Sequence, residues 1–214
     1  MEVIEQYYQW EQVPISALEI IETAGRTCYK SEELARPGSS KEFVERIVRR
    51  GHLSVIEHVS ASVRFTTDRG VTHELVRHRL CAFSQESTRY CNYGNGHVKL
   101  IRPVWCSSDV LGQHGAVPDS PTDPERIWLA QMLCAEASYK TLLKQGWRPE
   151  QARAVLPNSL KTEIVVTANL REWAHILQLR CSRAAHPQIR ELMKPLLEDF
   201  RGKVPFIFNE LVEW

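Results

Sequence analysis

A single domain mixing helices and strands, α/β of the α+β kind, is predicted from three observations. Several segments repeat apolar residues at helical spacing, one stretch alternates apolar and polar residues with period two, and 214 residues run without a linker or a break in composition.

In chain order, ISALEIIETAGR after Pro14 sets Ile15, Leu18, Ile21 and Ala24 near helical spacing and is expected to break near Gly25. Cys28 and Tyr29 follow in a loop. Ser39 and Glu42 form a capping box for the next helix, whose stripe is Phe43, Val44, Ile47 and Val48 and whose end is marked by Gly51. Val59, Ala61, Val63 and Phe65 alternate with polar neighbours, the pattern of a half-buried strand. A helix is then expected over Thr72 to Leu80 with Thr72 as its N-cap. Val98 to Trp105 reads as a second strand, and the Pro-, Ser- and Asp-rich segment from Cys106 to Asp123 as an irregular excursion suited to a lid. Asp123, with Pro124 at the first helical position, caps a helix reaching Gly146. Pro149 opens a short helix carrying Arg153, closed by Leu156-Pro157. LKTEIVVTAN reads as a strand turning at Asn169 into LREWAHILQLRC, and a last helix spans about Gln188 to Arg201 before Pro205 and an apolar tail.

Composition narrows the function. Charged residues make up 25% of the chain and the formal net charge is +1, so no broad basic footprint for nonspecific nucleic-acid binding is present. The polar start, MEVIEQYYQWEQ, is unlike a signal peptide, no apolar run is long enough to span a bilayer, and a cytoplasmic protein is expected. Six cysteines, at 28, 81, 91, 106, 134 and 181, show no CxxC pair and read as free thiols. The histidines at 52, 58, 73 and 78 match no zinc spacing, so no metal is expected.

The least probable stretch is RHRLCAFSQESTRY, Arg77 to Tyr90. On a helix over 72–80, Arg77, His78 and Arg79 stand about 100° apart and cannot share one solvent face. Arg79 falls between Leu75 and Val76 in angle, which aims it at the interior, where an unpaired guanidinium costs several kcal/mol unless an anion meets it. Arg180 raises the same question, because it lies in the middle of the arc set by Trp173, Ile176 and Leu177, with Arg171 and His175 opposite. Planar guanidinium groups bind phosphate or a pyrimidine edge bidentately, and Ser87 and Thr88 supply further donors, which points to a mononucleotide site. A structural ion-pair network is the bland alternative. Ser87 with His78 as base is a weaker, nucleophilic one, since no Gly-x-Ser-x-Gly elbow surrounds Ser87. A noncatalytic module binding single-stranded nucleic acid through Arg77, Arg79, Arg89, Phe83, Tyr90 and Tyr93, and a nucleotide hydrolase, also stay open.

Arg77-His78-Arg79, seven residues, then Ser87-x-Arg89-Tyr90 resembles the signature of the flavin-dependent thymidylate synthases. The resemblance extends to GHLSVIEH at 51–58, AR..LP at 152–157, Asn169-Leu170-Arg171, and Leu179-Arg180 followed by AAHPQIR. It implies a small, mostly antiparallel sheet flanked by helices and a homotetramer that gathers FAD and dUMP at sites built from several subunits. By position it gives the flavin to His52, Ser54, Arg77, His78, Arg79, Gln85, Asn169, Arg171 and His175. It gives dUMP to Glu74, Arg77, Gln85, Ser87, Thr88, Arg89, Arg153 and Arg180, with Arg180 catalytic. NADPH would reduce FAD and 5,10-methylenetetrahydrofolate would give the one-carbon unit, with no enzyme nucleophile and no nucleic-acid or membrane partner. Gln85 stands where many relatives carry Glu, Cys28 where Ser is frequent, His175 where Asn occurs, and His186-Pro187 where Ala-Gln would precede an acidic residue.

Overall fold

The structure is a computed structural model and describes residues 1–108 and 123–212. Its strands are β1 (Glu2–Ile4), β2 (Tyr7–Gln12), β3 (Ser60–Asp68), β4 (Ala82–Gln85), β5 (Lys99–Ile101) and β6 (Lys161–Asn169). Its α-helices are α1 (Ala17–Thr27), α2 (Ser39–Arg49), α3 (Arg69–Leu75), α4 (Pro124–Lys144), α5 (Pro149–Ala152), α6 (Leu170–Arg180), α7 (Pro187–Lys203) and α8 (Pro205–Leu211). The mixed class and the small antiparallel sheet are as expected; that sheet has the strand order β2-β3-β6-β4. The pair β1–β5 is parallel, with Glu2 opposite Lys99 and Ile4 opposite Ile101. From 109 to 122 the expected lid lies outside the described residues.

Two compact units interleave along the sequence. The first takes Met1–Tyr7, Phe65–Leu75 and Ser84–Ile164, and the second Tyr8–Arg64, Val76–Phe83 and Val165–Trp214.

In the first unit, Val3, Val98, Leu100, Met132, Tyr139, Ala152 and Leu160 form a buried core. The Asp123 side chain accepts from Glu125 N at 2.9 Å ahead of Pro124, so α4 starts as its sequence predicts. Helix α3 does not. The Asp68 carboxylate accepts from Val71 N at 2.7 Å and takes the capping role expected of Thr72, which instead lies inside the helix and donates to Arg69 O at 3.0 Å. The helix ends at Leu75 rather than Leu80, so the angular spacing that aimed Arg79 inward does not extend to it.

In the second unit, Trp173, Phe200 and Phe208 stack at the core, with ring centroids 5.3 Å and 4.5 Å apart in succession. Helix α1 continues through Gly25 because the glycine serves packing: a Cβ there would come within 2.6 Å of Phe43 Cε1. The capping box expected at Ser39 is absent. Gly38 occupies the N-cap at φ 83°, and the Ser39 hydroxyl donates to Glu22 Oε1 at 2.7 Å. Gly51, at φ 75°, closes the helix as expected. Along β3, Ala61, Ser62 and Val63 are all buried, so the strand is covered more fully than its alternation implies, and the Ser62 hydroxyl is satisfied by Thr167 Oγ1 at 2.7 Å. The Asn169 carbonyl caps α6, accepting from Glu172 N at 2.9 Å. The apolar tail after Pro205 is helical, with Ile207 and Phe208 buried. Among the described residues no helix is long and apolar enough to cross a membrane.

Candidate functional site

A polar cluster in the first unit centres on Gln85. Gln85, on β4, donates through Nε2 to Thr72 Oγ1 at 2.9 Å and to Thr162 Oγ1 at 3.3 Å. The Thr72 hydroxyl has already spent its hydrogen on Arg69 O, so toward Gln85 it can only accept, and this fixes the amide orientation. Both amide hydrogens are therefore held by buried threonines, and Oε1 is left as a presented acceptor.

Two residues on, Ser87 organises a turn. Its carbonyl accepts from Tyr90 N at 3.1 Å and Cys91 N at 2.9 Å, and its Oγ accepts from Arg89 N at 3.3 Å. The hydroxyl hydrogen is free to be donated; among the described residues no side chain takes it as a base would. Thr88 is buried, and its Oγ1 accepts from Arg153 Nη1 at 3.1 Å. Arg89 is exposed and lies 5.4 Å over the Tyr90 ring, without an ion pair among the described residues. Glu74 stands on the last turn of α3.

A clamp holds this segment. Glu86 N donates to Glu163 O at 2.9 Å, the Glu86 carboxylate accepts from Tyr93 Oη at 2.7 Å and Lys161 Nζ at 3.1 Å, and Lys161 also reaches Glu163 Oε1 at 2.5 Å. Burial alone would lower the Lys161 pKa, but the hydrogen bonds to Glu163 and Glu86 outweigh it and raise it. Burial, followed by the Glu86 hydrogen bond, pushes the Tyr93 hydroxyl upward. Both groups thus stay protonated, and Glu86 keeps two donors while its neighbours Gln85 and Ser87 face their partners.

Sequence reasoning missed this clamp because Glu86 and Lys161 are 75 positions apart. It also missed Arg69, whose buried Nη1 has no hydrogen-bond partner. A buried donor left this way costs roughly 1–3 kcal/mol, which an acceptor supplied by a ligand would offset. Its place directly after the capping Asp68 was the available signal.

The second unit holds the other cluster. On α6, Trp173, Ile176 and Leu177 are buried while Arg171 and His175 are exposed, as the spacing predicts. Arg180 is half-buried, and its Nε donates to His78 Nε2 at 3.0 Å. His78 must therefore be neutral with its proton on Nδ1, which lies 3.8 Å from the buried Glu172 carboxylate. His175 stands edge-on to His78 with ring centroids 5.9 Å apart. Burial first, then Arg180 and His175, lower the His78 pKa from 6.5 to about 4. Burial raises that of Glu172. Glu172 was not singled out in the sequence, although its position three residues after the capping Asn169 was readable.

The buried member of the Arg77-His78-Arg79 trio is His78, at 5% exposure, and not Arg79, which is exposed. Neither Arg77 nor Arg79 forms an ion pair among the described residues, so their charge stays available to an anion. Arg171 donates to Glu57 Oε1 at 2.6 Å. Asn169 spends its carbonyl on the α6 cap. His52 and Ser54 are exposed and line a cavity of about 430 Å³ together with residues of α1 and α2. Among the described residues no group of three His, Cys, Asp or Glu is placed to hold a metal ion.

The low His78 pKa sets a pH dependence. An unfolded chain protonates this imidazole near pH 6.5 and the folded one only near pH 4, so its stabilising contribution is complete above about pH 6.5 and drains away as pH falls toward 4. The loss attributable to His78 is on the order of 2–3 kcal/mol. Urea midpoints at pH 7 and pH 4.5 are expected to fall more steeply for the native chain than for His78→Gln; equal slopes would contradict it.

Comparison with known proteins gives one answer. The family model described as thymidylate synthase complementing protein matches residues 14–206. A curated relative named flavin-dependent thymidylate synthase, from Geobacter sulfurreducens, is 34% identical over 195 residues, covering 87% of this chain and 78% of its own. One of the same name from Mycobacterium bovis is 34% identical over 199 residues, with 89% and 78% covered. In fold, the chain resembles the UMP/dUMP methylase PolB of Streptomyces cacaoi, solved with 5-Br dUMP, at a TM-score of 0.78 and 22% identity over 98% of this chain and 96% of that one. It also resembles thymidylate synthase X of Helicobacter pylori, solved with FAD and dUMP, at 0.73 and 22% identity over 98% and 100%.

Proposed function

Because this chain belongs to the thymidylate synthase complementing protein family, we propose that it is a flavin-dependent thymidylate synthase. It converts dUMP to dTMP, with 5,10-methylenetetrahydrofolate as one-carbon donor and NADPH as reductant through FAD, and without an enzyme nucleophile. The observation that carries this reading is that the signature folds into fixed polar groups: Gln85 is held by Thr72 and Thr162, Ser87 Oγ accepts from Arg89 N, and Thr88 accepts from Arg153. The further reading, taken from the family, is one functional domain over residues 1–214 acting as a homotetramer.

The residues fit both ligands. A dinucleotide diphosphate calls for unneutralised cations, which Arg77 and Arg79 supply, and His52 and Ser54 line a cavity at hand. FAD, when bound, supplies the hydride that completes the methyl group. For the nucleotide, Gln85 presents its Oε1, the Ser87 hydroxyl donates, and Arg89 and Arg153 furnish guanidinium donors for phosphate. Arg69 offers one more buried donor. Arg180, steadied by neutral His78, stabilises negative charge developing on the uracil ring, so that the base is activated without a covalent bond to protein.

Anaerobic NADPH oxidation with and without dUMP, followed by identification of dTMP, tests the reading. The protein should be yellow and form dTMP only with folate present; colourless protein with salt-sensitive oligonucleotide affinity would overturn it. For Ser87→Ala, dUMP affinity is expected to drop about tenfold, the worth of a hydrogen bond to a charged group, while flavin reduction without dUMP stays within about twofold. Full loss of turnover with normal dUMP affinity would restore Ser87 as a nucleophile.

A further inference from the structure

The cavity of about 430 Å³ in the second unit carries charge that the chain does not balance. Four arginines stand on or near it, and they differ. Arg26 is buried and paired with Glu22 at 2.6 Å, and Arg49 is taken by Glu45 at 2.8 Å and Glu210 at 3.1 Å. Arg46, on the last turn of α2, and Arg50, its C-cap, both line the cavity, and neither has an ion pair among the described residues. Like charges four positions apart on a helix repel. Each of their carboxylate neighbours on the helix is either committed elsewhere or unbonded to them, so the pair forms a local cationic end.

The rest of the wall is aromatic and apolar. Phe43 and Ile47 form its floor, with the Arg46 guanidinium 5.5 Å over the Phe43 ring. The cavity is also lined by His52 and Ser54, the residues that the proposed function gives to the flavin. A ligand suited to this space joins an aromatic ring to a strongly anionic group and reaches toward the flavin from its far end.

We propose that the cavity binds the adenosine end of NADPH, with Arg46 and Arg50 clamping its 2′-phosphate and the adenine lying against the wall that the exposed Tyr29 shares with Leu34 and Ile47. Two unpaired guanidinium groups one helical turn apart on the wall of one cavity match a dianionic phosphate better than the separate single charges of a folate glutamate tail. A volume of this size accommodates a nucleoside phosphate. The inference rests on the NADPH-dependent reading above and adds to it the residues that select NADPH over NADH.

The test is calorimetric titration of the FAD-loaded protein with adenosine 2′,5′-bisphosphate and with 5′-AMP. The bisphosphate is expected to bind about tenfold or more tightly, and Arg46→Gln/Arg50→Gln should erase that preference, with Arg50→Gln alone erasing part of it. In anaerobic flavin reduction the same double variant should bring the KM values for NADPH and NADH together by a similar factor, and in thymidylate formation it should leave the KM for methylenetetrahydrofolate unchanged. Equal affinity of the two probes for the native protein, a preference that survives the double change, or a rise in folate KM in place of NADPH KM would overturn the assignment. Thymidylate formation by a protein with no 2′-phosphate preference rejects this site alone. A lost preference in the variant, with no thymidylate formed by the native chain, rejects the function and keeps the site.

Discussion

Arg180→Ala is expected to lower dTMP formation by about 10²–10³-fold or more, the scale on which removing one aligned charge-stabilising donor acts. The half-buried guanidinium is oriented through Nε, which donates to His78 at 3.0 Å. A cation in a partly desolvated position interacts more strongly with developing charge than it would in water. The fold should survive, because His78 stays neutral and its Nε2 accepts equally from water. Turnover measured beside the thermal unfolding midpoint separates the two effects. Arg180→Lys keeps the charge but cannot both hold His78 and present a planar fork, so it should recover only a minor part of the rate. Turnover near that of the native chain in the alanine variant would remove Arg180 from the chemistry.

Trp173→Ala carries the largest expected loss of stability, about 3–5 kcal/mol. The indole is fully buried, packs on Phe200 at 5.3 Å between ring centroids, and donates through Nε1 to Ala61 O at 3.0 Å. Deleting it opens a cavity at the base of α6 and strips a β3 carbonyl of its partner, two costs that add. Chemical denaturation should show the midpoint falling with little change in slope. A loss under about 1 kcal/mol would mean that the core around Phe200 and Phe208 collapses to fill the space.

These two residues mark where the sequence was readable. Trp173 sat on a helical stripe that followed a strand turning at Asn169, both local signals; the structure places both as read and adds that Asn169 is the N-cap. The same locality explains the clean reading of α4 from Asp123-Pro124. Where the reading failed, a neighbour in sequence or a distant partner competed. Asp68 captured the α3 cap ahead of Thr72, and once the helix ended at Leu75 the argument for an inward Arg79 lost its footing; His78 is the buried one. Helix α1 ends at Thr27, near Gly25 as read, but the reason for the glycine, the Phe43 ring, was not visible locally. Strand β1 pairs with β5 across nearly a hundred residues and carried no signal of its own, whereas β5 lies within the strand read at Val98 to Trp105 but ends at Ile101. The signature from Arg77 to Tyr90 revealed which residues matter, but the fixing of Gln85 by Thr72 and Thr162 depended on tertiary structure.

That fixing bears on fidelity. A side-chain amide free to rotate would greet either pyrimidine, showing its oxygen to an imino hydrogen or its nitrogen to a ring lone pair. With both hydrogens tethered, Gln85 can show only oxygen, so if the base rests against it, uracil is welcomed and cytosine meets lone pair against lone pair. Competition of dCMP against dUMP reads this directly: strong inhibition by dCMP would refute it, and indifference to dCMP is the result that two buried threonines impose.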